Sequence, residues 1–592
     1  MEKPESVYRK KIIDYSSQLE RTTVKVKQVA MLRLGCFAAL IFSIYYCATG
    51  FVYSLLMLTI TLGFIFIFLV KSFFRLKDKK NLIEKLLFVN KNELDIITDK
   101  TNQFNNGHEY LASEGYFDDL DIFGKNSLYH LLNRTTTSHG AAALASLLKT
   151  PILSEKNILE QQQAIGIFSE IIDIRQLITA YGLLKQEKEG NLFNVLEWMK
   201  VPVKLKTNKM LQIIRWALPL FNISAIFFYL QTGNYSVLAV GIIASWAIIS
   251  LFAKYINCQH AMISQKQKIL NQYADILKIF GNINPRESVL LTVLHNTSLN
   301  AHRSIRQLSQ LTSWFDQRLN MIVNVLLNSI FMYDIQCMIT LEKWKEENKN
   351  RLKSYIDCVG QIESLNSLSC FAYNNQRYVY PNISRGGFII ETKQIAHPLI
   401  RESERIANDF SIGKENKLHL LTGSNMSGKT TFLRTIGINL LLAQCGSPVC
   451  AETFCFTPMN ILTSIRVSDS LQEHTSYFMA ELKRLKQIIS QLETRQPALV
   501  LIDEILRGTN SEDKTHGSEE FVKRLLHFNC LSIFATHDLA LSRLEAEFPG
   551  TVSNYCFESI IQNSELFFDY KLQKGVAKNK NASFLMKKME II

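Results

Sequence analysis

Two stretches of this chain carry no charged residue, Leu34–Val70 and Trp216–Ala253. A helix needs roughly 20 apolar residues to cross a bilayer, so each stretch is too long for one span and fits two short ones. Polar breaks fall at Cys47–Gly50 (CATG) and at Gln231–Ser236 (QTGNYS). The pattern predicts two helical hairpins and four spans. Lys25, Lys27 and Arg33 precede the first hairpin, and Lys71, Arg75, Lys77, Lys79 and Lys80 follow it. Lys204, Lys206, Lys209 and Arg215 precede the second, and Lys254 follows. This basic flanking places both ends of both hairpins on the cytoplasmic side. Helices buried in the core of a soluble body are the alternative. The first run starts too late, and is too long, for a cleaved signal peptide.

Residues 71–215 are charged and Leu-rich and predict helix. Residues 254–390 place apolar residues at three-and-four spacing in QYADILKIF, SIRQLSQLTSWFDQRLNMIVNVLLNSIFMYD and ITLEKWKEENKNRLKSYIDCVGQIESLNSL, which predicts long helices in a bundle, lever or coiled coil. After Pro398 the pattern changes. Short apolar runs (KLHLLTG, ALVLID, LSIFATH, NYCFESI) alternate with helical segments, as in an α/β domain with a largely parallel sheet. The chain therefore divides into an N-terminal cytoplasmic segment (1–33), a transmembrane hairpin (34–70), a helical domain (71–215), a second hairpin (216–253), a helical core or lever region (254–390) and a C-terminal α/β domain (391–592).

Composition adds little to this division. The 47% hydrophobic content over 592 residues traces to the two uncharged runs. The net charge of +13 lies wholly before His397, since the remainder holds 22 basic and 22 acidic residues. Part of that excess is membrane flank, and charge alone does not choose between acidic lipid and nucleic acid for the rest. The 11 cysteines show no paired metal spacing and read as buried thiols of a reducing compartment.

Candidate chemistry gathers in the last third. Gly423, Gly428, Lys429 and Thr430 fill every fixed position of G-x-x-x-x-G-K-[ST], between a strand-like KLHLL and a helix-like TTFLRTIGINLLLAQ. In such a loop, Ser424, Asn425, Met426, Ser427 and Thr431 turn backbone N–H groups toward nucleotide phosphates, and the helix N-terminus adds its positive end. Lys429 would neutralise the β and γ phosphates and Thr430 would hold Mg²⁺. A Gly-rich turn is the plainer reading. The strand ALVLIDE ends in Asp503, placed for the metal's water shell, and Glu504, placed to polarise the attacking water. The strand LSIFA ends in Thr536, His537 and Asp538, where a histidine can sense the γ-phosphate.

These motifs, with HPLI at His397–Ile400, the stretch TSIRVSDSLQEHTSYFMAELKRLKQII, LVLIDEILRGTN and ATHDLALSRL, resemble the ATPase domain of the DNA mismatch repair protein MutS family, a branch of the ABC ATPases. The resemblance implies an ABC-type P-loop fold, ATP and Mg²⁺ as cofactors, catalysis through Glu504 and His537, and a homodimer through the ATPase domain. Within HTSYFMAEL it places the signature serine at Ser476, reaching the γ-phosphate of the other protomer. Family members more often carry G-R-S-T-F-M there. Asn510 falls in the family's D-loop, and SEDKTHG after it departs from the common form. A weaker similarity covers Asp121–Pro151 and Gln161–Ile165, the start of the family's helical core. The mismatch-gripping N-terminal module, its Phe-x-Glu motif and the connector have no counterpart. The first hairpin stands in their place, and the second where levers and DNA clamp would be.

The resulting expectation is a membrane-anchored MutS-like ATPase, multi-pass in the cell membrane with its ATPase domain cytoplasmic. Its partners would be membrane lipid and double-stranded DNA, including mismatched or damaged DNA in repair. ENKNRLK and NNQR are the basic clusters offered for DNA. An ABC-type transporter has the right order of parts, but few spans and no LSGGQ-like signature. A membrane-bound ATPase scaffold acting on a protein partner is the other alternative.

Overall fold

In the computed structural model, residues 2–50, 53–111, 115–184, 192–424, 426–466, 477–506, 510–562 and 565–578 are described. The first uncharged run forms the antiparallel helix pair its pattern predicts, inside far longer helices than the 34–70 boundaries suggest. Helix α1 runs Pro4–Thr49 and α2 runs Tyr53–Asp99, each about 70 Å long at 1.5 Å per residue. Neither has an internal proline beyond the first turn, and each holds one glycine, Gly35 or Gly63. Nothing breaks the helix between the charged and apolar halves. Ser43 and Thr59 hydrogen-bond across the pair at 2.6 Å, and the Arg33 guanidinium lies 4.3 Å from the centre of the Phe73 ring. The apolar half leaves Phe42, Met57, Phe64 and Phe68 exposed, whereas the lower half of α2 buries Ile83, Leu86, Val89 and Ile96.

The second uncharged run follows the same rule. The helical body begins with α3 (Leu128–Leu132), α4 (Ser138–Lys149), α5 (Glu155–Ser169), α6 (Ile172–Leu183) and α7 (Phe193–Lys200). Helices α8 (Lys209–Thr232) and α9 (Ser236–Ile263) then form the second hairpin, turning at Gly233 in the left-handed region (φ 70°). Gly241 lets α8 approach, because a Cβ there would lie 2.0 Å from Asn222 Oδ1. Among the described residues α1, α2, α8 and α9 are long and apolar enough to cross a membrane.

Residues 254–390 resolve into a bundle of α10 (Gln267–Phe280), α11 (Val289–Asp316), α12 (Met321–Phe331), α13 (Tyr333–Asn348) and α14 (Leu352–Asn374). The long segment ending in FMYD is not one helix. Asn320 accepts from the N–H groups of Ile322 and Val323 and restarts the chain as α12. Met332, left-handed at φ 51°, then bends it by 83° into α13. Helix α14 is buried along most of its length. Its Glu363 carboxylate accepts from the N–H groups of Thr136 and Thr137 at the head of α4, while burial pushes its pKa up to about 7.

The foot of the first hairpin is pinned by charge. Arg134 pairs with Glu93 of α2 at 2.8 Å, both side chains almost wholly buried. Asn374 of α14 donates to the same carboxylate at 2.6 Å and accepts from the Tyr8 hydroxyl of α1 at 2.9 Å. Burial alone would raise the Glu93 pKa, but Arg134 outweighs it and holds the group below its ordinary value.

The C-terminal region holds two sheets. A small one joins β1 (Asn382–Ile383), β2 (Ile389–Ile395) and β3 (Asn408–Gly413) to β5 (Thr453–Phe456), in the order β1-β5-β2-β3. The larger one contains β4 (Leu418–Gly423), β6 (Asn460–Ser464), β7 (Ala498–Asp503), β8 (Cys530–Thr536), β9 (Val552–Gln562) and β10 (Glu565–Lys574). Its order is β10-β9-β4-β8-β7-β6, all neighbours parallel except β10 with β9. Helices α15 (Lys429–Gln444), α16 (Tyr477–Leu492), α17 (Ser511–Leu525) and α18 (Leu544–Glu547) accompany them. The four apolar runs read from the sequence are the adjacent strands β9, β4, β8 and β7. Every residue of β4, β7 and β8 is buried, which explains their continuous rather than alternating apolar pattern. The helical body docks here through Asp121, which pairs with Arg434 at 2.7 Å and with Arg466 at 2.6 Å.

Candidate nucleotide site

Strand β4 ends at Gly423, and the chain turns through Met426 (φ 67°) and Gly428 (φ 104°) into α15. The tightness is real at Gly423, where a Cβ would come within 2.9 Å of the Phe557 carbonyl oxygen. The Lys429 ammonium folds back over the loop, donating to the carbonyls of Gly423 and Ser424, both at 2.9 Å, and its Nζ lies 3.5 Å from His537 Nε2. The Ser427 hydroxyl is buried with no hydrogen-bond partner among the described residues. A buried orphan hydroxyl inside a turn of N–H groups fits an anion of phosphate type.

The neighbouring strands β7 and β8 end beside this loop because β4 is paired with β8, and β8 with β7. Thr430 donates to Asp503 Oδ2 at 2.5 Å. Glu504 sits in the left-handed region (φ 53°), and its N–H donates to the Ala535 carbonyl of β8 at 2.9 Å. This kink aims Glu504 into a cavity of about 550 Å³ shared with Ser427, Lys429, Thr430, Thr431 and Asp503. Its carboxylate pairs with the Lys514 ammonium of α17. His537 lines the same cavity. Burial, then the Lys429 charge, lowers its pKa below the ordinary imidazole value and keeps the ring neutral at neutral pH.

Thr430 and Asp503 fit a hard cation. Among the described residues no group of three His, Cys, Asp or Glu side chains could cage a metal. A hydroxyl and one carboxylate are instead the partial set that leaves Mg²⁺ to complete its shell with phosphate oxygens and water.

Not every expected residue meets in the cavity. Asn510 is exposed at the N-cap of α17 and does not line it. Asn425 and Ser476 lie outside the described residues. Conversely, no motif assigns a role to Lys514, which lies in the unusual SEDKTHG stretch. Nor does local spacing mark the wall made by Ile400, Arg405, Ile406 and Tyr570. Arg405, which donates to the Tyr378 hydroxyl at 2.8 Å, faces a second cleft as well. That cleft, about 490 Å³, lies against Lys3 just before α1, Pro4 of α1 and Lys100 just after α2.

Residues 419–589 match the family model described as MutS domain V. The C-terminal region belongs to the MutS family. The chain is 30% identical over 256 residues to a DNA mismatch repair protein MutS of Lactococcus lactis, covering 42% of this chain and 30% of that protein. It is 32% identical over 259 residues to the human MutS protein homolog 4 (42% and 27%). A Clostridium botulinum DNA mismatch repair protein MutS is 33% identical over 241 residues (39% and 25%). The chain thus matches less than a third of the length of these relatives. In this MutS domain V the loop, both strand-end acids and His537 fall inside the matched residues, whereas both hairpins lie outside them.

Proposed function

We propose that this protein is a membrane-anchored MutS-like ATPase that binds and hydrolyses ATP with Mg²⁺ in a dimer and binds DNA. One observation carries the reading: Lys429, the Thr430–Asp503 pair, Glu504 and His537 converge on a single cavity. The loop N–H groups and Lys429 would hold the phosphates, and Thr430 with Asp503 would hold the cation. Bound Mg²⁺ would neutralise charge on the phosphate oxygens. Glu504 would orient and polarise the attacking water, and neutral His537 would meet the γ-phosphate as a hydrogen-bond partner. Ser476 of a second protomer would complete the site. Glu504→Gln removes the water-polarising group and spares the phosphate contacts. It should bind nucleotide as before and hydrolyse at least ~tenfold more slowly in a phosphate-release assay. Unchanged turnover rejects the assignment.

The anchoring rests on the four apolar helices and their basic flanks. Topology reporters fused after Lys80 and after Lys266 should read cytoplasmic, and one placed within 231–236 should read outside. Complete extraction by alkaline carbonate would reject the anchor. DNA binding rests on relatives named for DNA mismatch repair and on the positive charge before His397. Titration of the solubilised protein against plain and mismatched duplex should show weak binding that falls steeply with salt, with little preference for the mismatch. Absence of binding to either duplex at low salt favours a protein partner instead.

A further inference from the structure

Helix α12 has eleven residues, about 16 Å of rise, half of what a hydrocarbon core of ~30 Å requires of a span. No charge falls between Arg318 and Asp334. Met321, Ile322 and Leu326 are 80%, 71% and 57% exposed, and Trp314 and Leu319 just before them are exposed as well. The helix's polar groups turn the other way. Asn222 of α8 donates to the Ser329 carbonyl at 3.0 Å, the Trp246 indole of α9 donates to the Ser329 hydroxyl at 3.0 Å, and Asn328 accepts from the Asp334 N–H at 2.9 Å. The polar side is therefore fastened to the second hairpin, and the apolar side has no described protein over it.

Those contacts also fix its depth. Asn222 lies six residues into the uncharged run that begins at Trp216, and Trp246 seven residues before that run ends at Ala253. Both are about 10 Å inward from the charged ends at 1.5 Å per residue. Exposed apolar side chains of the hairpin, such as Leu220 and Ile243, flank these positions in sequence. Helix α13 does not continue inward. Asp334 pairs with Arg318 at 2.9 Å, and Glu342 accepts from the N–H groups of Lys204, Leu205 and Lys206, which ties α13 to the charged body. The bent pair is thus not a broken span.

We propose that α12 is an interfacial helix, sunk by its apolar face into the cytoplasmic leaflet beside the second hairpin, with lipid acyl chains as its partner. The proposal rests on the four-span reading above. Its depth matches the 5–10 Å at which amphipathic helices lie in a bilayer, to order of magnitude. Lipid is favoured over a second copy of the chain because the surface continues the hairpin's own apolar surface at the same depth.

The test uses the full chain in nanodiscs of phosphatidylcholine and phosphatidylglycerol. A photoreactive diazirine amino acid replaces, one at a time, Ile322, Leu230 in the hairpin and Val293, which is exposed on α11 in the charged body. Lipid adducts are counted by mass spectrometry after illumination. Adducts at 322 should approach those at 230 and exceed those at 293 by at least ~fivefold. Lipid adducts at 230 with only water-quenched product at 322 would overturn the inference alone, as would protein–protein crosslinks at 322. No lipid adduct at 230 would overturn the four-span reading, and the inference with it.

Discussion

His419 lies one residue into β4, five positions before the glycine-bounded loop begins to turn, with its ring between Phe410 and Tyr555 at centroid distances of 5.2 and 4.6 Å. Neither ring nitrogen has a partner among the described residues. Burial pushes its pKa down to about 3, and that of His397 down to about 4. The unfolded chain takes up these protons near the ordinary value and the folded chain does not. The associated stability is therefore full above pH ~6.5 and declines as the pH falls toward 4 and then 3. His419→Phe should remove its share, worth about 2 kcal/mol at pH 5 and little at pH 7.5, as read from chemical denaturation at the two pH values. A gain of equal size at both would assign the effect to packing alone. Nothing in KLHLL distinguished this histidine, because its burial depends on β4 lying centrally between β8 and β9. The loop and the strand-end acids were legible because their spacing is local. Tyr570 and the Ile400–Ile406 wall were not, since distant segments bring them to the cavity.

The same contrast holds for whole elements. Both hairpins were visible as uncharged runs, yet α1 was cut at residue 33, since hydropathy marks where a helix is apolar and not where it ends. Helix α12 does not separate from the long helical stretch ending in FMYD on spacing alone, because the Asn320 cap and the left-handed Met332 that bound it leave the apolar pattern unbroken. The small sheet escaped notice because β1 and β5 have two and four residues. Beside the packing of Ile83, Leu86, Val89 and Ile96, α2 is held to the body by a buried ion pair, Glu93 with Arg134. Arg134→Met leaves that carboxylate buried and unpaired, so it should cost about 3–5 kcal/mol. Limited proteolysis of the detergent-solubilised protein should then cut first near the foot of the hairpin. Replacing Glu93 and Arg134 together with apolar residues should recover much of the loss. A double variant no better than the single one would point to Asn374 and Tyr8 as the true anchor.

At the scale of the molecule, Arg405 faces both the candidate nucleotide cavity and the cleft against the foot of α1. Replacing it with Ala should weaken nucleotide binding by a few-fold and expose Lys3–Glu5 to faster hydrogen exchange, because one side chain serves two walls. An unchanged exchange rate would separate the two clefts. Helix α1 runs unbroken from that foot to Thr49, and a continuous helix of ~70 Å behaves as a stiff rod on this scale. A tilt of about 5° at its base would swing the far end by roughly 6 Å, the rise of about four residues. Any displacement that tilted the base of α1 by that much would appear at its far end as a movement comparable to one full helical turn.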